Sequence, residues 1–494
     1  MTDRPANSVL KGAIFAVSGR WIGRLIGMVS TIVLARLLMP EDFGVVAMAF
    51  IVLGLASTLL DIGVNVALVR NSNATDAHFH SAWTLRLIQA LLVSAVLLAV
   101  APLAGDYFKD PRISPVIMLL ALNVVLGSLE NIGIVSFQKQ GQFDREFRYM
   151  LINRLFAFVC TVSLALWLRN YWALVLAGTI GTLFNVSHSY IAHPMRPRLA
   201  VTRLREILSV SQWMLVQNVG LYLDNNLHKI FVGGRESPAV MGAYSLASEL
   251  ATLPSTELLQ PLNRVLFPAF VAVKHDLNQL KKAFLMAQSV QVMVALPAAT
   301  FLALVAPDLV PVLLGDQWNG AIPYLQLLAI SSALGAIQIS AWYVSITLGR
   351  ERESAYLTWM QVAQVALVIL VVLPHAGALE IAAIRAAVPV LGLLVQILIV
   401  KRALGNLRLV EIAAAQWRTA LAVTVAGAAV LLRPKFGSHA LDLAAGLVVG
   451  AVVYPAALVA AWKLSGAPDG AERYLLQKLE PAWRAVRRRI GKRG

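Results

Sequence analysis

Two arginines lie four residues apart in the stretch GRWIGRLIG (19–27), inside an apolar run over about 12–38. At 1.5 Å per residue, Arg20 lies about 12 Å and Arg24 about 18 Å from the start of that run. An arginine at the bilayer centre costs about 2.5–3.5 kcal/mol on insertion scales and normally faces a partner or a wet cavity. Residues four apart share a helix face, where two guanidinium groups can bind a diphosphate through paired hydrogen bonds. A structural ion pair with Glu130 is the alternative interpretation.

A second polar stretch, QNVGLYLDNNLHK (217–229), lies in a later apolar run. Four of its side chains follow a 4, 3, 4 spacing, which places them in one stripe along a helix: Asn218, Tyr222, Asn225 and Lys229. Amide and phenol groups suit sugar hydroxyls, and an ammonium group suits a phosphate. Hydrogen bonds between helices are the alternative role for the same side chains.

Four acidic residues in or beside apolar runs are candidates for binding a coupling proton or sodium ion. They are Glu249, Glu130, Asp61 and Asp224. A carboxylate that is shielded from water takes up a proton more readily than an exposed one. A hydrogen bond at a helix end is the alternative for Asp61, and a local pair with His228 is the alternative for Asp224. No cofactor is predicted beyond such an ion.

The composition indicates an integral membrane protein. Of the 494 residues, 58% are hydrophobic and 14% are charged, and the mean hydropathy is +0.71. The apolar runs are continuous, about 20 residues long, and lack the alternation of barrel strands. The single cysteine, Cys160, excludes a disulfide framework. There is no glycine-rich phosphate loop and no cluster of metal ligands, so we predict no enzyme, no catalytic residue and no metal site.

We therefore predict an all-α integral membrane protein with about 14 transmembrane helices. The predicted spans are approximately 12–38, 45–69, 84–104, 114–137, 149–168, 171–192, 207–233, 240–268, 283–306, 322–347, 355–374, 378–400, 417–433 and 440–463. Basic residues collect in alternate loops, and this asymmetry predicts cytoplasmic N- and C-termini in a bacterial inner membrane. The net charge of +16 is then explained by topology and by anionic membrane lipids, and nucleic acid is not predicted as a partner.

A short motif occurs twice. MPEDFGVVAMA (39–49) and SPAVMGAYSLA (237–247) each follow a predicted span, and their alignment matches Pro40 with Pro238 and Gly44 with Gly242. The two copies hold equivalent places in the order of spans, which predicts two six-helix lobes related by an internal repeat around a central cleft. Paired lobes around a cleft are typical of transporters.

The predicted segments follow from this repeat and from the charge pattern. They are an N-lobe over 1–192, a basic cytoplasmic linker over 193–206, a C-lobe over 207–401, two further helices over 402–466 and a basic cytoplasmic tail over 467–494.

Four blocks of the sequence resemble a known transporter superfamily. They are LARLLMPEDFGVVAMAF (34–50), DIGVNVALVR (61–70), GQFDREFRYM (141–150) and LLGDQWNGAIPYLQLLAI (313–330). These blocks are similar to the polysaccharide-transporter branch of the multidrug/oligosaccharidyl-lipid/polysaccharide exporter superfamily, in particular its Wzx-type flippases of colanic-acid-like exopolysaccharide pathways.

The resemblance implies a flippase that moves undecaprenyl-diphosphate-linked oligosaccharide repeat units across the cytoplasmic membrane by alternating access. It implies a role in exopolysaccharide or lipopolysaccharide biosynthesis, with a polysaccharide polymerase and glycosyltransferases as partners. The lipid II flippases of the same superfamily carry an acidic residue after the second arginine of their first helix. Leu25 follows Arg24 here, so that group's site is not carried over.

Two other functions stay open. A cation-coupled, drug-type exporter of small molecules is one, although two arginines in the first helix fit a cation-expelling cavity poorly. A non-transporting scaffold of a glycan assembly complex is the other, and such a scaffold would tolerate loss of the intramembrane arginines.

Overall fold

The computed structural model describes residues 4–60, 68, 75–204, 212–474 and 477. These residues are helical and contain no β-strand, so the predicted all-α class is confirmed. The chain divides into two compact units, Met1–Ser245 and Leu246–Gly494. The five segments predicted from the sequence stay a prediction beside this division.

Long helices follow one another through both units. They are α1 (Arg4–Leu37), α2 (Pro40–Leu60), α3 (Asp76–Tyr107), α4 (Ile113–Ser128), α5 (Val135–Lys139), α6 (Phe143–Leu168), α7 (Trp172–Ala192), α8 (Gln212–Arg235), α9 (Pro238–Ala272), α10 (Leu277–Leu313), α11 (Ile322–Thr347), α12 (Glu351–Leu367), α13 (Ala378–Leu404), α14 (Leu409–Leu431) and α15 (His439–Leu464). Short 3-10 segments, Ile132–Ile134 and Asp316–Ala321, precede α5 and α11, and a π-helical segment, Val368–Val372, follows α12.

The protein is a multi-pass membrane protein. Within the described residues, ten helical segments are long and apolar enough to cross a membrane, or eleven if the bent pair α4–α5 is one span. Helices α1, α8 and α9 occupy the first, seventh and eighth predicted spans but are not in that group. These three helices carry most of the candidate site residues. The count of about 14 crossings and the internal repeat stay predictions.

The helix predicted over 114–137 is broken. Helix α4 ends at Ser128, and the chain bends by 63° before α5. Asn131 holds the break, because its Oδ1 accepts the N–H of Gly133 (2.9 Å) and its own N–H is donated to Ser189 Oγ (2.9 Å). Glu130 therefore lies at a bend and not on a continuous helix.

The two copies of the repeated motif contact each other where α2 and α9 begin. A Cβ atom added to Gly44 would lie 1.8 Å from the carbonyl oxygen of Pro238, and one added to Gly242 would lie 1.8 Å from that of Pro40. Only glycine allows such a close approach of two backbones. The contact is reciprocal, which is what a two-fold relation between the copies produces.

Part of the predicted basic linker forms a strap, residues 193–204, that has no regular secondary structure over 193–201. Three of its backbone N–H groups donate to side chains on the first turns of α3: Arg198 to His80 Nδ1 (3.2 Å), Ala200 to Thr84 Oγ1 (2.9 Å) and Arg203 to Ser81 Oγ (3.2 Å). The side chains of Arg198 and Arg203 stay exposed. Backbone groups of the strap thus attach it to α3, and Arg196 Nη1 donates to the carbonyl oxygens of His193 (3.0 Å) and Met195 (2.9 Å) within the strap.

His193 holds the start of the strap in its neutral form. Its Nδ1 accepts the N–H of Met195 (3.2 Å), and its Nε2 lies 3.0 Å from Ser136 Oγ. Burial, and then the nearby charges of Arg145 and Arg196, lower the pKa of His193 below its usual value. A proton on Nδ1 would remove the acceptor for Met195.

In the unit Leu246–Gly494, α10 is the central helix and packs against α11, α14 and α15. Phe284 of α10, Val344 of α11 and Val400 of α13 belong to one buried apolar cluster. The buried ion pair of Arg418 with Glu472 (2.6 Å) attaches the residues after α15 to α14. Removing one partner of such a pair would leave a buried charge uncompensated.

We expect Gly44→Ala and Gly242→Ala each to destabilise the protein, because the added methyl group overlaps a backbone carbonyl oxygen. Overpacking of this kind costs about 1–3 kcal/mol, which would appear as a lower melting temperature in detergent. Gly178→Ala in α7 is the matched control, because its Cβ atom would have no heavy atom within 4 Å. Equal melting temperatures for all three variants would contradict the close crossing.

Acidification should loosen the strap. The pKa of His193 is lower in the folded protein than the value of about 6.5 for an unfolded chain, so the strap is most stable above that pH and weakens as the pH falls below it. Hydrogen–deuterium exchange of residues 196–204 should therefore quicken between pH 7.5 and pH 5.5, after correction for intrinsic rates. His193→Gln should reduce this acceleration, and what remains should come from His80, whose Nδ1 accepts the N–H of Arg198. An unchanged acceleration in that variant would remove the role given to His193.

Candidate functional site

Three residues of the predicted polar stripe line one open cavity. Asn218, Tyr222 and Asn225 of α8 border a space of about 580 Å³. The other lining residues are Leu221 and Asn226 of α8, Ser57 and Thr58 of α2, and Gln89 of α3. The sequence analysis missed Ser57, Thr58, Gln89 and Asn226. Asn226 is next to a predicted residue, but no pattern in α2 or α3 singles out the other three.

Tyr222 also ties α8 to α2. Its hydroxyl group donates to the carbonyl oxygen of Ile51 (2.5 Å). A Cβ atom at Gly54 would lie 2.7 Å from the tyrosine ring, so this glycine leaves room for the ring. The phenol that was predicted to contact sugar hydroxyls therefore has its own hydrogen engaged in helix packing, and only its oxygen is left to accept.

Lys229 and Asp224 share α8 with the cavity residues. Both side chains are half-buried. Lys229 lies one turn beyond Asn225, about 6 Å further along the helix axis. His228, between them in sequence, is buried, and its Nδ1 lies 2.8 Å from the hydroxyl group of Tyr244.

The two arginines of α1 are described to different extents. The side chain of Arg20 lies outside the described residues, whereas that of Arg24 is half-buried. Gly23 and Gly27 mark an open face of α1, because a Cβ atom added to either would have no heavy atom of the described residues within 4 Å. Trp21, Leu25 and Met28 form an exposed apolar stripe, and the helical repeat places Arg24 between this stripe and the open face.

Glu130 is the centre of a polar network. Its Oε2 accepts a hydrogen bond from Arg86 Nη2 (2.8 Å), and its Oε1 accepts from Tyr149 OH (2.8 Å) and Asn185 Nδ2 (3.1 Å). Arg86 also donates to the carbonyl oxygen of Gly127 (3.1 Å). The ion pair of Glu130 is thus made with an arginine of α3 that the sequence analysis did not single out.

The network continues through α6 and α7. Asn153 Nδ2 donates to Asn185 Oδ1 (2.7 Å), and His188 Nδ1 lies 3.0 Å from Asn153 Oδ1. The ring of His188 stacks on that of Tyr149, with centroids 4.9 Å apart. Polar residues at a regular spacing in the apolar runs of α6 and α7 were the available sequence signal for this cluster.

The two remaining acidic candidates are placed differently. Glu249 of α9 has an exposed side chain. Asp61 lies outside the described residues. Among the residues that the structure describes, no group of three or more His, Cys, Asp and Glu side chains is arranged to hold a metal ion.

Comparisons with known proteins give one family. The profile of a family described as "Polysaccharide biosynthesis protein" matches residues 33–323, more than half of the chain. The chain is 27% identical over 320 residues to the lipopolysaccharide biosynthesis protein WzxC of Escherichia coli (strain K12), covering 63% of this chain and 64% of that protein. It is 25% identical over 305 residues to the succinoglycan biosynthesis transport protein ExoT of Rhizobium meliloti (strain 1021), covering 61% and 62%. Both matches span less than two thirds of the relative's length.

The fold is similar to that of a solved structure described as "Lipid II flippase MurJ, inward closed conformation". The TM-score is 0.72, and the match covers 91% of this chain and 99% of that one. Sequence identity is 9%, so the likeness concerns the fold alone.

Glu130→Gln should destabilise the protein, because it leaves the partly buried guanidinium group of Arg86 without a counter-charge. A lost charged hydrogen bond of this kind is worth about 1.5–3 kcal/mol, to be read as a lower melting temperature in detergent. Glu249→Gln is the matched control, because an exposed side chain should change stability by less than about 0.5 kcal/mol. Equal effects of the two substitutions would show that the network adds no stability.

Proposed function

Because the chain belongs to the polysaccharide biosynthesis protein family, we propose that it flips undecaprenyl-diphosphate-linked oligosaccharide repeat units across the bacterial cytoplasmic membrane. The observation that carries the proposal is the open cavity walled by hydroxyl and amide groups of α2, α3 and α8. Polar groups of this kind bind sugars, and they are expensive in an apolar bundle unless they have partners. The pathway served is exopolysaccharide or lipopolysaccharide biosynthesis.

Family and fold point to a transporter rather than an enzyme. The predicted resemblance to Wzx-type flippases is confirmed by the family match and by the two curated relatives. The fold is shared with a protein described as a lipid II flippase, and the transport mode that we propose is alternating access between two lobes.

We assign the diphosphate to the basic residues and the sugars to the polar stripe. Arg20, Arg24 and Lys229 would bind phosphate oxygens, which guanidinium groups hold through paired hydrogen bonds. The open face of α1 beside Arg24 gives room for such a ligand. Asn218, Tyr222 and Asn225 would bind the oligosaccharide, and the prenyl chain would stay in lipid.

A proton or sodium gradient, or polymerisation after transport, would drive the cycle. Of the four acidic candidates, Glu130 is held by Arg86 and Tyr149, so it would take up a cation only when that network opens. Glu249 has an exposed carboxylate and needs no such opening. Asp224 and Asp61 complete the set of proposed coupling residues.

Location and partners follow from the same proposal. The basic tail would lie on the cytoplasmic surface among anionic lipids, with both chain termini on that side. Glycosyltransferases would supply the lipid-linked substrate from the cytoplasm, and a polysaccharide polymerase would consume it on the outer side.

Arg24→Ala should leave membrane insertion intact and stop polymer formation in cells that carry only this variant. In proteoliposomes, flipping of a labelled lipid-linked oligosaccharide should fall at least about tenfold, since one charged hydrogen bond is worth about 1.5–3 kcal/mol. Arg154→Ala is the matched control, because Arg154 is an exposed arginine of α6. Normal polymer export in Arg24→Ala cells would remove the role given to Arg24.

Drug resistance, surface glycan and polymer formation distinguish the flippase from the two alternative functions. A drug-type exporter would give drug resistance on expression and no change in surface glycan on deletion. A scaffold would keep polymer formation in both arginine variants.

A further inference from the structure

The wall of the cavity is electrically neutral. Of its eight lining residues, seven carry a hydroxyl or an amide group and the other is Leu221. In the part of the chain that the structure describes, this lining holds no charged side chain. Its volume of about 580 Å³ falls within the range of roughly 300–1,000 Å³ for small-molecule sites.

Two hydroxyl groups of the wall donate their hydrogens to backbone carbonyl oxygens of the protein. Thr58 donates its hydroxyl hydrogen to the carbonyl oxygen of Gly54 (2.8 Å), and Tyr222 donates its own to Ile51 (2.5 Å). A hydroxyl group has one hydrogen, so each oxygen is left with acceptor capacity only.

Two amides of α8 are used in the same way. Asn225 Nδ2 donates to the carbonyl oxygen of Leu221 (2.8 Å), and Asn226 Nδ2 donates to that of Tyr222 (3.0 Å). Each amide keeps a single N–H group and a complete oxygen, which has two lone pairs. Four of the seven polar groups in the wall therefore present more acceptors than donors.

From this inventory we infer that the cavity selects an uncharged, hydroxyl-rich sugar residue and excludes both the diphosphate and acidic sugars. A sugar hydroxyl donates a hydrogen, which the wall oxygens need. Phosphate and carboxylate oxygens only accept, so they cannot pair with the wall oxygens, and among the described residues the wall offers their negative charge no cationic side chain. This inference rests on the proposed function and deepens it, because it names the class of sugar and separates its site from the basic residues.

Residues outside the predicted stripe would contribute to the selection of the sugar. Ser57, Thr58 and Gln89 form the side of the cavity opposite α8, and Asn226 adds a further acceptor. These four, with Asn225, would distinguish a neutral sugar from an acidic one, while Arg24 and Lys229 would hold the diphosphate of either substrate.

Binding of three synthetic short-chain polyprenyl diphosphates to the full-length protein in detergent tests this, with native mass spectrometry as the readout. One lipid carries a single glucose, one carries a single glucuronic acid, and one carries no sugar. The glucose lipid should bind about tenfold more tightly than the bare lipid, as one or two net hydrogen bonds would give. The glucuronic acid lipid should gain no such affinity.

Substitutions in the cavity wall test whether its side chains cause the higher affinity for the glucose lipid. Gln89→Leu and Asn225→Leu should reduce binding of the glucose lipid to the level of the bare lipid and leave the bare lipid unchanged. Gln217→Leu is the matched control, because Gln217 is an amide of α8 that is absent from the lining, and it should bind all three lipids as the wild type does. Gln89→Lys, which adds a cationic donor to the wall, should improve binding of the glucuronic acid lipid.

The outcomes distinguish the two proposals. Equal binding of all three lipids, or tightest binding of the glucuronic acid lipid by the wild type, would overturn the sugar assignment and leave the flippase proposal standing. A protein that binds none of the three lipids would contradict the flippase proposal and the sugar assignment together.

Discussion

Hydroxyl and amide groups on membrane helices cost less free energy when they donate their hydrogens to other protein groups. This constraint explains how α8 can carry so many polar residues. Tyr222 donates to Ile51 of α2, and Asn225 and Asn226 donate to carbonyl groups of their own helix. The bonds that satisfy these groups also fix which atoms are left to meet a ligand, so packing and recognition depend on the same side chains.

Two charged groups of the unit Met1–Ser245, Glu130 and Arg24, have different surroundings. Glu130 is surrounded by Arg86, Tyr149 and Asn185 at hydrogen-bond distance, and its charge is compensated within the protein. Arg24 lies on α1 beside Gly23 and Gly27, where an added Cβ atom would meet no heavy atom of the described residues within 4 Å. A partly buried ion pair stabilises the bundle, whereas space beside a cation gives room for an anionic ligand.

The sequence predicted features that depend on one helix and missed those that depend on several. Continuous apolar runs predicted the helices, and the 4, 3, 4 spacing placed Asn218, Tyr222, Asn225 and Lys229 in one stripe, of which the first three line the cavity. Both patterns are local. Gln89 and Ser57 join the cavity through the register between α2, α3 and α8, which no single helix encodes. The break after α4 was missed for a similar reason, because Asn131 is held by Ser189, a residue far along the chain.

The reciprocal contact of Gly44 with Pro238 and of Gly242 with Pro40 bears on how the chain can evolve. Each glycine faces the carbonyl oxygen of the proline in the other copy, so a larger residue at either place would push the two helix starts apart. The two positions would therefore stay glycine together, even as the sequences around them diverged.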